Sequence, residues 1–157
     1  MAETDTTSYN DFVGEVQHRI EAGTQAEAIP TTRSVLQTLG ERIQEGSATD
    51  IAGPLPMEVD RYLLEVEHGQ QFDFDEFVDR VVERMTSEGL DLETPYGQPS
   101  AVDESEAVYR SEAVVALLGE VVPGGEVANV EEQLPDDFDD LFEFVDAETK
   151  PWEEREA

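Results

Sequence analysis

Apolar residues recur along much of the chain at the spacing of an α-helix. Two stretches show this most clearly, each with successive apolar positions one, three and four residues apart. They are Phe12, Val13, Val16 and Ile20 in the first half, and Phe77, Val78, Val81 and Met85 in the second. This spacing places the apolar side chains on one face of a helix. The pattern therefore predicts an all-α protein.

Several segments of the first half return in the second half. The matched pairs are 9–16 with 74–81, 35–41 with 114–120, and Leu55-Pro56 with Leu134-Pro135. The first pair is offset by 65 residues and the other two by 79, so about 14 extra residues lie between Met85 and Asp103. Self-similarity of this kind is the signature of a repeat architecture. It predicts two tandem, diverged repeats of about four helices each, packed into one compact helical body.

The repeats divide the chain into five predicted segments. These are a flexible N-terminus at 1–7, helical repeat 1 at 8–67, a linker at 68–73, helical repeat 2 at 74–147 with an insertion at about 89–102, and an acidic C-terminal tail at 148–157. One copy is too short to bury more than a modest core by itself. We therefore expect the two copies to pack against each other.

Capping residues indicate where the second helix of each copy begins. Thr24 stands three residues before Glu27, and Asp103 three before Glu106, which is the spacing of a capping box. Pro30 follows soon after in the first copy. Because proline lacks an amide donor and clashes with the preceding turn, it predicts a kink or a delayed start of that helix.

Glycine and proline divide the rest of each copy. Gly46 and Gly125 are predicted to end the second helices, and short third helices should follow around 48–53 and 127–133. Proline is suited to the first position of a helix, so each Leu-Pro pair is predicted to open a fourth helix. Repeat symmetry further predicts that Leu55 and Leu134 are both buried.

Taken together, this pattern resembles a family of bacteria and archaea called domain of unknown function 2267. The residues that carry the resemblance are Phe12, Val13, Val35, Leu36, Leu39, Gly46, Leu55 and Pro56, and then Phe77, Val78, Val114, Leu118, Gly125, Glu126, Gln133, Leu134 and Pro135. The family has no agreed activity, so the resemblance implies a helical fold and no catalytic residue. One departure is Gly53-Pro54, which stands where the second copy has Glu132-Gln133.

The charge of the protein is strongly one-sided. There are 39 acidic and 9 basic residues, a net charge of -30, and Lys150 is the sole lysine. The acids are dispersed, which is typical of proteins from organisms that hold molar potassium chloride in the cytoplasm, where salt screens self-repulsion. We interpret the chain as a haloarchaeal-type protein. Direct nucleic-acid binding is disfavoured, because the charge repels phosphates.

Several classes of chemistry find little support in the residues. The chain has no cysteine. His18 and His68 have no partners at metal-ligand spacing, and both are predicted to lie at the surface. The acidic residues of 136–140 are typical of the N-terminus of a helix. The segment lacks the glycine and the closing glutamate of a calcium-binding loop. We expect no cofactor and no bound metal.

The expected location is the cytoplasm. No apolar run approaches the roughly 18 residues of a membrane span, and Met1–Asp5 lacks the features of a signal peptide. We therefore expect no membrane association.

The function favoured by the sequence is a non-catalytic protein-interaction module. Tyr96, in the insertion, and Trp152, in the tail, are the candidate partner-binding residues, because loops and exposed aromatic side chains often carry recognition. One alternative is an enzyme with a polar site between the repeats, around Arg33 or Arg110; buried, paired charges in a cleft would favour it. Another is an acidic decoy or chaperone for basic or DNA-binding proteins.

Overall fold

The computed structural model describes residues 8–20, 25–87, 104–122 and 125–145. Within these ranges every regular element is a helix. In chain order they are α1 (Tyr9–Ile20), α2 (Gln25–Arg42), α3 (Glu45–Ala52), α4 (Val59–Leu64), α5 (Phe74–Ser87), α6 (Glu104–Val121), α7 (Glu126–Gln133) and a 3-10 helix, η1 (Asp136–Phe142). The prediction of an all-α protein is confirmed for the described part of the chain.

Side chains cap the starts of α1 and α5. The hydroxyl of Ser8 accepts the amide of Asp11 at 3.1 Å, and a carboxylate oxygen of Asp73 accepts the amide of Glu76 at 2.9 Å. Such caps satisfy amides that have no partner inside the helix. The predicted caps Thr24 and Asp103 lie outside the described residues, although α2 and α6 do begin at the next position.

The delayed start predicted for α2 is wrong. The helix begins at Gln25 and continues through Pro30, its sixth residue. A proline this close to the N-terminus costs one backbone hydrogen bond, and Pro30 is buried, so the removal of its ring from water offsets part of that cost. The alternative, a kink at Pro30, stays a prediction.

Two further boundary predictions are corrected. Gly46 does not end α2, which stops at Arg42; it lies inside α3, because extended backbone at Gln44 already separates the two helices. Gly125 does adopt a left-handed conformation, with φ of 75°, directly before α7. The segment after Leu134-Pro135 is a 3-10 helix, whereas α4 begins only at Val59 because Glu58 has a positive φ of 79°.

The buried side chains form one core that both halves of the chain build. Helix α1 packs against α2 and α6, and α5 likewise packs against α2 and α6. The two halves therefore pack on each other, as expected. Leu55 and Leu134 are both buried, which confirms that prediction. The repeat origin of the two halves stays a prediction.

Candidate functional site

Arg110 forms a buried charged contact between the two long helices. Only 7% of its surface is exposed. Its Nε donates to Glu106 at 2.8 Å, and its Nη2 donates to Glu27 of α2 at 2.9 Å. Its Nη1 donates to the hydroxyl of Thr31 at 2.9 Å. Every nitrogen of this guanidinium therefore has a partner, and two of those partners are carboxylates.

Arg19, on α1, makes a second contact of this kind with α6. It is 3% exposed. It donates to Glu15 of its own helix at 2.7 Å and to Glu120 of α6 at 2.8 Å. Its Nη1 also lies 3.4 Å from the carbonyl oxygen of Ala113. The charge of Arg19 is thus compensated by two carboxylates.

Glu41 forms ion pairs with two arginines at the junction of α2 and α5. Arg84 approaches it at 2.7 Å and Arg80 at 3.1 Å, and Arg84 also donates to the hydroxyl of Thr38 at 2.8 Å. Burial alone would raise the pKa of Glu41, but the hydrogen bonds and charges of Arg84 and Arg80 outweigh it and hold the pKa below its ordinary value. Glu41 therefore stays ionised.

Glu112 is the opposite case. It lies on α6, is 8% exposed, and forms no ion pair with any residue that the structure describes. Burial, followed by repulsion from Glu143 and Asp140 beside it, raises its pKa to about 7. Glu112 is therefore a buried acid without a compensating cation among the described residues.

One groove of the described residues lies between the end of α2 and the end of α7. Its volume is 660 Å³, within the range of ligand sites. It is lined by Arg42, Gln44, Gln71, Gln133, Leu134 and Pro135. Although acids outnumber bases 39 to 9 in the sequence, none of these lining residues is acidic. We call this surface the Arg42 groove.

Arg42 is held in the wall of this groove by neutral groups. It is 7% exposed, and its Nε donates to the carbonyl oxygen of Phe72 at 2.7 Å. The guanidinium carbon lies 5.3 Å from the ring centre of Phe138 and 5.9 Å from that of Phe72. Its Nη1 and Nη2 donate to no described residue. Neither nitrogen is sealed from solvent, so both remain available to a ligand in the groove.

Three side-chain amides complete the polar part of the Arg42 groove. The side-chain oxygen of Gln133 accepts the hydroxyl of Ser47 at 3.1 Å, which leaves its NH2 group as a donor. Gln44 and Gln71 make no side-chain hydrogen bond to any described residue. Each amide can both donate and accept. The groove can therefore bind polar, neutral groups beside one anion.

A second groove, of 510 Å³, differs in its charge. It lies between the start of α5 and the start of α6, and its lining includes Asp75, Asp79 and Glu104. Apolar side chains such as Phe74 and Val78 contribute the remainder. Its acids repel an anionic ligand, and their exposure makes them typical of the whole surface.

The residues predicted from sequence are distributed as follows. Tyr96 and Trp152 lie outside the described residues. His18 and His68 are half-buried, so the prediction of two surface histidines is wrong; Nδ1 of His68 lies 2.8 Å from the carbonyl oxygen of Gly40, which draws the ring inward. Arg33 is exposed and lies over the ring of Tyr62 at 5.9 Å.

The acidic segment at the start of η1 has a structural contact. Its four aspartates are exposed, and Asp137 accepts the amide of Phe74 at 2.8 Å, which ties η1 to the start of α5. Among the described residues no group of three or more acid, histidine or cysteine side chains is placed to hold a metal. None of the described helices is both long enough and apolar enough to cross a membrane.

Sequence reasoning missed the Arg42 groove. One clue was present, since Gln133 precedes the second Leu-Pro pair at a position where the first copy has Pro54. Arg42, Gln44 and Gln71 lie 62 or more positions before Gln133 in the chain, and the packing of α3, which follows α2, against α7 brings them close to it.

The fold and the groove define a compact helical protein with a polar groove and buried interhelical ion pairs. The model of the family described as "Uncharacterized conserved protein (DUF2267)" matches residues 9–141. The chain belongs to that family, as its sequence pattern indicated. No curated protein matches the chain closely enough to count as a relative.

Proposed function

We propose that this protein is a non-catalytic binding module of a salt-rich cytoplasm, built from two diverged copies of one four-helix unit. Its Arg42 groove binds a segment of a protein partner. The observation that carries this proposal is the composition of the groove, which offers three amides and one arginine.

The lining of the groove is equipped to bind and is poorly equipped to react. General acid–base catalysis needs a group whose pKa lies near the working pH, and nucleophilic catalysis needs an activated hydroxyl, thiol, amine or carboxylate. The described lining contains none of these, and a guanidinium stays protonated at any physiological pH. Arg19, Arg84 and Arg110, by contrast, are engaged in ion pairs outside both grooves. Glu112, whose pKa is raised to about 7 by burial and by the charges of Glu143 and Asp140, lines neither groove.

Two ion pairs support the duplicated architecture. Arg19 on α1 pairs with Glu120 on α6, and Arg84 on α5 pairs with Glu41 on α2. Under the sequence offsets of 65 and 79, Arg19 corresponds to Arg84 and Glu41 to Glu120. Each copy therefore contributes the same arginine to the other copy's glutamate, as an approximate twofold axis between the copies requires.

Contacts near that axis agree with this symmetry. Arg110 corresponds to Thr31, to which it donates a hydrogen bond, and its two carboxylate partners, Glu27 and Glu106, correspond to each other. Equivalent residues meet in this way only where they lie close to a twofold axis.

Two glycines extend the correspondence to the fourth helices. A Cβ added to Gly40 would meet Val66 at 3.0 Å, and one added to Gly119 would meet Val145 at 3.2 Å. Gly40 corresponds to Gly119 and Val66 to Val145 at the same offset of 79. The absence of a side chain lets the returning segment of each copy approach its second helix closely.

The net charge of -30 supports the salt-rich setting. In molar potassium chloride the Debye length is about 3 Å, so the repulsion among dispersed carboxylates is largely screened. We expect the free energy of unfolding to rise with potassium chloride, which denaturant unfolding at 0.1 M and 2 M salt would measure.

Affinity capture tests the binding function. The tagged full chain is compared with a double variant, Gln71→Ala and Gln133→Ala, in extracts of the source organism containing molar potassium chloride. Both side chains are exposed, so we expect the variant to fold. A partner at near-equal stoichiometry that the double variant loses, and that a Gln17→Ala control on α1 retains, would support the proposal. If the double variant and the Gln17→Ala control recover the partner equally, the groove is not the binding surface.

A further inference from the structure

We infer that the Arg42 groove recognises a carboxylate carried by an extended peptide, such as the free C-terminus of a partner chain. This inference rests on the proposed binding function and adds the chemical group that is recognised.

The first observation is that Arg42 is a buried cation with no carboxylate partner. Arg19 and Arg110, the other buried arginines of the described chain, each contact two carboxylates. Removing a charge from water is expensive unless the charge is paired. Arg42 has only a backbone carbonyl and two phenyl rings, so its compensation is incomplete until an anion binds.

The second observation is the geometry of the guanidinium. The bond from Nε to the Phe72 carbonyl fixes one edge of the group, and the rings of Phe72 and Phe138 hold its position. Nη1 and Nη2 form the outer edge and donate to no described residue, and Arg42 lines the groove. Two parallel donors on one planar group match the two oxygens of a carboxylate. Because the group is already held in place, little conformational entropy is lost on binding.

The charge of the site favours a carboxylate over a phosphate. The described lining provides one positive charge on a protein whose net charge is -30. A single arginine neutralises a monoanion, whereas a phosphate near neutral pH carries a second charge that the protein would repel.

The neighbouring amides favour a peptide as the carrier. Gln44 and Gln71 each offer an N–H donor and a carbonyl acceptor, and Gln133 offers its NH2 group as a donor, which are the groups that a peptide backbone needs as partners. Leu134 adds an apolar surface for a side chain close to the carboxylate. A small carboxylate would leave most of these amides unused.

Calorimetric titration of the full chain in 1 M potassium chloride tests the inference. The ligands are the acetylated tripeptide Gly-Gly-Leu with a free carboxylate and the same tripeptide with a C-terminal amide. We expect the free acid to bind at least about tenfold more tightly, because charge-assisted hydrogen bonds are worth about 1.5–3 kcal/mol, which corresponds to tenfold or more. Equal affinity of acid and amide, or no binding of the acid, would overturn the inference.

Variants sharpen this test. Arg42→Gln should reduce the affinity for the acid at least about tenfold and remove the preference over the amide, while Arg42→Lys should retain part of it. Arg33→Gln, on the same helix and exposed, makes the same charge change and should leave the affinity unchanged. Because the acid and amide are compared on the unmodified protein, a folding defect in Arg42→Gln leaves the inference testable.

Competing ligands identify the source of the anion. Acetate binding as tightly as the peptide acid would overturn the peptide as carrier, and tighter binding of inorganic phosphate would overturn the carboxylate. A captured partner that depends on the groove, together with equal affinity for acid and amide, would leave the proposed function standing and remove this inference. Tight binding of the acid with no captured partner would leave this inference standing and remove the proposed function.

Discussion

Arg110 and Arg42 are equally buried, yet they have opposite surroundings. Arg110 has two carboxylates and a hydroxyl, whereas Arg42 has one backbone carbonyl and two aromatic rings. With 39 acids in the chain, carboxylates are abundant. The difference therefore separates a cation that joins helices from a buried cation that has no carboxylate partner among the described residues.

Two acids, the half-buried Glu41 and the buried Glu112, show the same division. Glu41 has two arginines and a lowered pKa, while Glu112 has acidic neighbours and a pKa of about 7. Charges that have a partner of opposite sign lie in the contacts between helices. Charges that lack such a partner, Arg42 and Glu112, reduce the stability of the fold.

Replacing each arginine in turn should give clearly different changes in the free energy of unfolding. Arg110→Met leaves Glu27 and Glu106 facing each other without a cation, and we expect it to lower the free energy of unfolding by about 2–3 kcal/mol. Arg42→Met removes an uncompensated buried charge and should change it by less than about 1 kcal/mol. Urea unfolding at fixed salt measures both, with Arg33→Met as the exposed control. Equal losses at Arg110 and Arg42 would show that Arg42 is as well compensated as Arg110.

Glu112→Gln should show a stability gain that depends on pH. The folded protein keeps the proton of Glu112 up to about pH 7, whereas the unfolded chain releases it near 4.5, so the stability of the unmodified protein falls as pH rises between these values. The variant avoids this loss and should be more stable by about 2 kcal/mol at pH 8. At pH 4 the difference should vanish. A gain that is the same at both pH values, or one also seen for the exposed control Glu132→Gln, would contradict the assignment.

Glu41→Gln should show the opposite dependence. Because the pKa of Glu41 is lowered in the folded protein, its contribution is present above the ordinary pKa and is lost as pH falls through the lowered value. We expect a loss of about 1 kcal/mol at pH 7 that shrinks in acid. Unfolding curves of the variant and of Glu45→Gln, an exposed control, would be compared from pH 7 to pH 3. A loss that grows in acid would exclude the two arginines as its cause.

The two corresponding ion pairs should differ in strength. Glu120 is 47% exposed and Glu41 is 13% exposed, so solvent screens the pair with Arg19 more than the pair with Arg84. Double-mutant cycles to alanine should give a coupling of about 0.5 kcal/mol for Arg19 with Glu120 and about 1 kcal/mol for Arg84 with Glu41. If the coupling of Arg19 with Glu120 is the stronger one, the exposure of the glutamate does not explain the difference.

Much of the fold could be predicted from local pattern. Helical spacing located α1 and α5, and the third helices were placed close to the observed α3 and α7. The predicted helix boundaries were wrong where the backbone conformation depended on neighbouring segments. Gly46 lies inside α3 because the chain is already extended at Gln44, and α4 begins late because Glu58 adopts a positive φ.

The helical class and the acidic charge could be predicted from sequence, because they follow from periodicity and composition within short stretches. The resemblance to known sequences indicated the family, and the match between the two halves predicted the burial of Leu55 and Leu134. Tertiary structure alone decided which charges are compensated. Arg42, Gln71 and Gln133 are ordinary polar residues in sequence, and they line one groove because α3, which follows α2, packs against α7. Compensation of a charge depends on distances of a few ångströms between residues far apart in the chain, and sequence spacing does not contain those distances.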